Sequence, residues 1–173
     1  TMEWFDGEYP VTVTATDAAG NTATATQTLT VDTTQPVVAI TSSALTNDTT
    51  PTITGTTEDG ATIQVTIDGV VHTGVVDGTG WSVTATNELV DGDAYVVSAT
   101  ATDAAGNTAT ATQTLTVDTT VPVVAITSSA LTNDSTPAIT GTTEDGSTIE
   151  VTIDAVVHTG VVDGTGWSVT ATN

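Results

Sequence analysis

The segment DAAGNTATATQTLTVDTT occupies residues 17–34 and returns unchanged at 103–120, an offset of 86 positions. At the same offset, residues 35–87 match 121–173 with six differences: Gln35/Val121, Thr49/Ser135, Thr52/Ala138, Ala61/Ser147, Gln64/Glu150 and Gly69/Ala155, all of them mild. A chain that copies itself folds as copies of one unit, and the period tells which kind. A spacing of 86 residues is too long for a solenoid rung and is the size of a small self-contained β-sandwich. The chain therefore divides into the closing part of one unit (1–34, strands F and G), a complete unit (35–120) and the opening part of another (121–173, strands A to E).

Alternation of apolar and polar residues places the strands. In the complete unit, strand A is expected near Val37–Ile40, B near Thr52–Thr57 and C at Thr62–Ile67 with Ile63, Val65 and Ile67 inward. Strand D is expected near Val70–Val76, E from Trp81, F at Tyr95–Thr102 and G at Thr108–Val117. Gln113 interrupts the inward face of strand G without a reason visible in the sequence. The turns read EDG, DG, DGTG, DGD and DAAGN, rich in residues that tolerate positive φ. No helical period occurs. The expected class is all-β, built of tandem Greek-key sandwiches.

Charge narrows the function. The 173 residues hold no Lys, no Arg and 21 Asp plus Glu, a formal net charge of −21. Without cationic side chains there is no patch for nucleic-acid phosphates and no face for anionic lipid. Only 12% of residues are charged and 38% are hydrophobic, with abundant β-branched Thr and Val, which separates the chain from a disordered acidic tail. Such a chain repels itself, and no internal salt bridge can offset that. It needs cations from solution, which points to a calcium-rich extracellular setting. There are no cysteines, no apolar run long enough to insert in a membrane, and no signal peptide within these residues.

Seven strands, one Trp per unit and a Tyr opening strand F make an immunoglobulin-like pattern. The string DGEYPVTVTATDAAGN (6–21) and the linker VDTTQPVV (31–38) resemble bacterial immunoglobulin-like domains, which are copied in tandem in giant biofilm and repeats-in-toxin-type surface adhesins. The resemblance covers essentially the whole chain. Tyr9 and Tyr95 match the tyrosine-corner position, although the second copy reads DGDAY where the first reads DGEY.

Greek-key topology sorts the acidic loops by end of the sandwich. Stacked units bring linker Asp32 beside Glu58, Asp59, Asp103 and Asn107, and at the next joint Asp118 beside Glu144 and Asp145. Calcium takes six to eight oxygen ligands, and a linker carboxylate with two acidic loops can supply them. The family resemblance implies calcium at the joints as well. Each of these residues is equally a turn former that needs no metal. Asp77 and Asp91 read as turn residues, His72 and His158 as exposed strand histidines, and Trp81 and Trp167 as core. No Ser–His–acid set, phosphate loop or metal-hydrolase motif occurs, so no enzyme is expected.

The expected function is an extension segment of an extracellular, cell-surface bacterial adhesin or filament, stiffened by calcium. Alternatives are a module binding glycan or protein, or a subunit that polymerises. The last rests on the ends: 121–173 of one chain could be completed by 1–34 of the next, bringing Asp17 and Asn21 to a shared calcium site with Asp118, Glu144 and Asp145. Partners are thus neighbouring repeats, with any glycan or protein ligand elsewhere in the parent chain.

Overall fold

The computed structural model describes residues 3–171. It forms two compact units, Thr1–Thr119 and Thr120–Asn173. Among the described residues there are strands and turns but no helix.

The first unit opens with a hairpin, β1 (Gly7–Thr16) and β2 (Thr22–Val31), paired along its full length. The complete repeat follows with β3 (Val38–Ile40), β4 (Leu45–Thr46), β5 (Thr52–Thr57), β6 (Thr62–Ile67), β7 (Val70–Thr73), β8 (Val75–Asp77), β9 (Gly80–Thr84), β10 (Ala94–Thr102) and β11 (Thr108–Val117). These build two sheets, ordered β3-β5-β9-β8 and β4-β11-β10-β6-β7. All pairings are antiparallel except β4 with β11. The core lies between the sheets and is made of the alternate residues expected to face inward. It contains Ile63, Val65 and Ile67 on β6, Val97, Ala99 and Ala101 on β10, and Leu115 and Val117 on β11.

Trp81 on β9 is also in this core, 3% exposed. It sits opposite Gly55 on β5. A Cβ on Gly55 would run into the Ala39 carbonyl oxygen and the Trp81 ring. The indole therefore occupies space that only a residue without a side chain leaves open.

Two features escape the alternation. The first strand is divided: β3 pairs in one sheet, and the chain then crosses to the other, where β4 runs parallel to β11. Gln113 faces that crossing and donates from Nε2 to the Ser42 carbonyl at 3.2 Å, which explains its place on an otherwise apolar face. The expected strand D is likewise divided at Gly74, with β7 pairing to β6 and β8 to β9. A Cβ on Gly74 would lie 2.9 Å from Ile63 Cγ2, so glycine allows the chain to change sheets against the core.

The β6–β7 turn has both central residues at positive φ, Asp68 at 48° and Gly69 at 73°. The second unit uses Asp154 at 47° and Ala155 at 65°. The Gly69/Ala155 difference is thus not mild, because alanine pays a steric cost in the left-handed region that glycine does not.

In the second unit, β12 (Ala125–Ile126), β13 (Ala138–Thr142), β16 (Val161–Asp163) and β17 (Gly166–Thr170) form one sheet, and β14 (Glu150–Ile153) pairs with β15 (Val156–Thr159). Trp167 and Gly141 repeat the Trp–Gly contact. β14 has four residues where β6 has six. The two extra residues of β6, Thr62 and Ile63, lie beyond its pairing with β7 and are held by β10 through Thr102 and Ala101.

Candidate functional site

Charge and repetition direct attention to the linker that joins the hairpin to the complete repeat. Both lie in the first unit. From the hairpin side, Asp6 reaches the linker. Its Oδ1 accepts the Thr33 backbone N–H at 2.9 Å and the Thr33 hydroxyl at 2.7 Å, and its Oδ2 accepts the Thr34 hydroxyl at 2.7 Å. These bonds, that from the Thr33 side chain foremost, hold the Asp6 carboxyl below the usual carboxylate range. Within the linker, Asp32 Oδ1 accepts the Thr34 N–H at 3.0 Å. Two residues on, Pro36 is buried.

From the repeat side, the β10–β11 loop reaches back. Asn107 Nδ2 donates to the Asp32 carbonyl oxygen at 3.0 Å and to Asp103 Oδ2 at 2.9 Å. Both partners are acceptors, so the orientation of the amide is determined by its neighbours. Asp103 Oδ1 accepts the backbone N–H groups of Gly106 and Asn107 at 2.7 and 2.8 Å. The hydrogen bond from the Asn107 side chain is the largest cause of the lowered Asp103 pKa. The hairpin builds the same loop: Asn21 donates from Nδ2 to Asp17 Oδ2 at 2.8 Å, and this bond leads the lowering of the Asp17 pKa.

The downstream end of the complete repeat follows suit. Asp91 Oδ1 accepts the Thr119 N–H at 2.6 Å, and the Asp118 N–H donates to the Thr46 carbonyl at 2.9 Å. Thr119 is the counterpart of Thr33 at the repeat offset, so Asp91 makes on the next linker the backbone bond that Asp6 makes on the first. Sequence reasoning missed Asp6 and left Asp91 as a turn residue. The available signal was the Asp-Gly pair that precedes the strand F tyrosine in both copies.

The remaining candidates are less engaged. Glu58, Asp59, Glu144 and Asp145 are exposed on their turns, where the Glu58 and Glu144 carbonyls accept the N–H of Ala61 and Ser147. Among the described residues, no group of three or more His, Cys, Asp or Glu side chains is placed to hold a metal ion. Asp103 fits poorly as a ligand because three hydrogen bonds from its own loop occupy most of its lone pairs. His72 and His158 are half-buried rather than exposed, and His72 lies opposite Val65 at the sheet edge. Burial of Trp81 and Trp167 leaves neither as a platform for sugar.

The tyrosine corner is present in both copies. Tyr95 Oη accepts the Val90 N–H at 2.7 Å, and the Tyr9 hydroxyl donates to the Phe5 carbonyl at 2.8 Å. With sandwich, corner and linker in place, comparison with known families is decisive: the profile of the bacterial Ig-like domain matches residues 1–33 and 39–119. The chain belongs to the bacterial Ig-like domain family. Its two matched stretches meet at the linker described above. Among solved structures, a tetra-tandem repeat in the extending region of a large adhesion protein is 26% identical with a TM-score of 0.45, covering 95% of this chain and 48% of that one. A structure concerning host cell surface retention of a 1.5-MDa bacterial ice-binding adhesin is 27% identical with a TM-score of 0.39, covering 96% of this chain and 64% of that one. The chain thus spans less than two thirds of either. No curated protein sequence matches it significantly.

Proposed function

We propose that this chain is an extension segment of an extracellular bacterial surface protein, in which Ig-like repeats are set end to end to carry another part of the parent away from the cell. The linker supports this most. It is gripped by Asp6 from the repeat before and by Asn107 from the repeat after, which is what a module needs when its task is to hold its neighbour in line. Near-identity of the copies agrees, since a spacer needs the same joint each time whereas a ligand site is needed once. A spacer would therefore tolerate changes to exposed strand threonines and respond to repeat number. Adhesion measured on cells displaying the parent with repeats deleted, or with exposed strand threonines such as Thr112 replaced, separates the two. Loss of adhesion on changing a single exposed strand, at constant repeat number, would favour a ligand-binding module.

Calcium is part of the same proposal. Asp32, Glu58 and Asp59 are exposed carboxylates of the type calcium prefers, and the ion would have to draw them together, since they form no preassembled group among the described residues. A ligand that prefers the folded state raises its stability by mass action. Melting in chelator, in millimolar calcium and in equal magnesium tests this. A rise with calcium beyond that with magnesium is expected, and equal midpoints in all three would remove calcium from the proposal.

A further inference from the structure

We infer that the repeat joint is a two-sided hydrogen-bonded clasp that fixes the linker without any metal, with Asn107 and Asp6 as its positioning residues. This concerns the joint alone and does not rest on the spacer reading; calcium dependence of the joint is one outcome of its test.

The geometry is specific on both sides. A side-chain amide carries two N–H donors. Asn107 uses one on Asp103 and the other on the Asp32 carbonyl. Asp103 thereby aims the second donor: its carboxylate also takes the two backbone N–H groups of the loop, so the amide has one orientation left. Bonds to an ionised acceptor are stronger than neutral ones, which makes the aiming bond the firmer and the Asp32 bond the adjustable one. On the hairpin side, Asp6 receives three donors from two consecutive linker residues. One peptide carbonyl and two threonines of the linker are therefore tied to opposite neighbours within three residues, 32–34.

Residue choice follows from this. Threonine at 33 and 34 supplies hydroxyl donors, which serine could match but valine could not. Asn at 107 supplies two donors, whereas Asp would set an acceptor against the Asp103 carboxylate and the Asp32 carbonyl. The downstream joint shows the same start, with Asp91 on Thr119. A clasp made of neutral donors and carboxylate acceptors also suits a chain with no Lys or Arg, because it turns carboxylates into joint-holding groups without a counter-charge.

The test measures the spread of distances across the joint. The chain has no cysteine, so Thr24→Cys and Thr112→Cys, both at exposed positions, take spin labels on the hairpin and the repeat. Pulsed electron–electron distance measurement is made on the full chain in chelator and again in calcium. A narrow distribution in chelator is expected, widening at least twofold in Asn107→Ala and in the double variant Thr33→Val, Thr34→Val. The valine variant leaves the β10–β11 loop untouched, so a folding defect from Asn107→Ala cannot mask the result. A broad wild-type distribution in chelator that narrows only with calcium would overturn the clasp, as would unchanged width in the valine variant.

Discussion

Gly55→Ala is the sharpest probe of the sandwich core. The added methyl has no space: it meets the Ala39 carbonyl oxygen on one side and the Trp81 ring on the other. The carbonyl belongs to β3, which pairs with β5 through Ile40 and Gly55, so it can withdraw only by breaking that pairing. The indole can withdraw only by leaving the core it shares with Ile53 and Val83. Overpacking of this kind costs typically about 1–3 kcal/mol, and removing a large aromatic from a core costs about 3–5 kcal/mol. We expect about 3 kcal/mol, since the chain will take whichever route is cheaper and neither is free. For a unit of this size each kcal/mol moves the melting point by roughly 4–8 °C, so a fall on the order of 15 °C is expected. Urea unfolding followed by circular dichroism gives the free energy directly, with an unchanged slope confirming that the same surface unfolds. Adding Trp81→Leu relieves only one of the two contacts and should not restore stability. A Gly55→Ala midpoint shift worth less than about 0.5 kcal/mol, the range of ordinary surface changes, would refute the close-packed Trp–Gly contact.

Three further outcomes can be checked in the same chain. Gly69→Ala should destabilise the complete repeat by about 1 kcal/mol in urea unfolding, because the turn needs positive φ there. Tyr95→Phe leaves the Val90 N–H without its acceptor and should cost about 1 kcal/mol in the same assay. Asp6, Asp17 and Asp103 have lowered pKa values when folded. Their contribution is therefore complete above the unfolded carboxylate pKa of about 3.9 and disappears as pH falls through the lower folded values. Proton titration by NMR should show these three aspartates protonating only below the unfolded value, and Asn107→Ala should move Asp103 back up.

Much of the sandwich was legible because alternation and burial agree. Strand β6 has the expected bounds, and Ile63, Val65 and Ile67 are buried as their spacing requires. The same rule could not show where a strand changes sheets. Alternation continues through Gly74 although β7 and β8 belong to different sheets, because the pattern records inward and outward faces and not the pairing partner. Gln113 stood out as an exception, but its partner Ser42 is 71 positions away. The joint was half legible. Greek-key topology placed Asp32, Asp103 and Asn107 at one end of the sandwich, and the structure joins them. What the residues do there was harder to read, since aspartate in a turn, in a clasp or on a metal presents the same letter. Asp6 was missed for that reason: its donors, Thr33 and Thr34, look like ordinary strand-end threonines until the hairpin closes and brings them together.

As proposed, consecutive repeats form a stiff extended array. Small-angle X-ray scattering from arrays of two, four and eight copies of residues 35–120 tests it most directly. Stiff joints make the radius of gyration rise almost in proportion to copy number, whereas freely jointed units give an exponent of about 0.5. An exponent of about 1 that falls toward the flexible value when every Asn107 is replaced by Ala is the result the hydrogen-bonded joint predicts. A flexible exponent in the unaltered array, in chelator and in calcium alike, would contradict it.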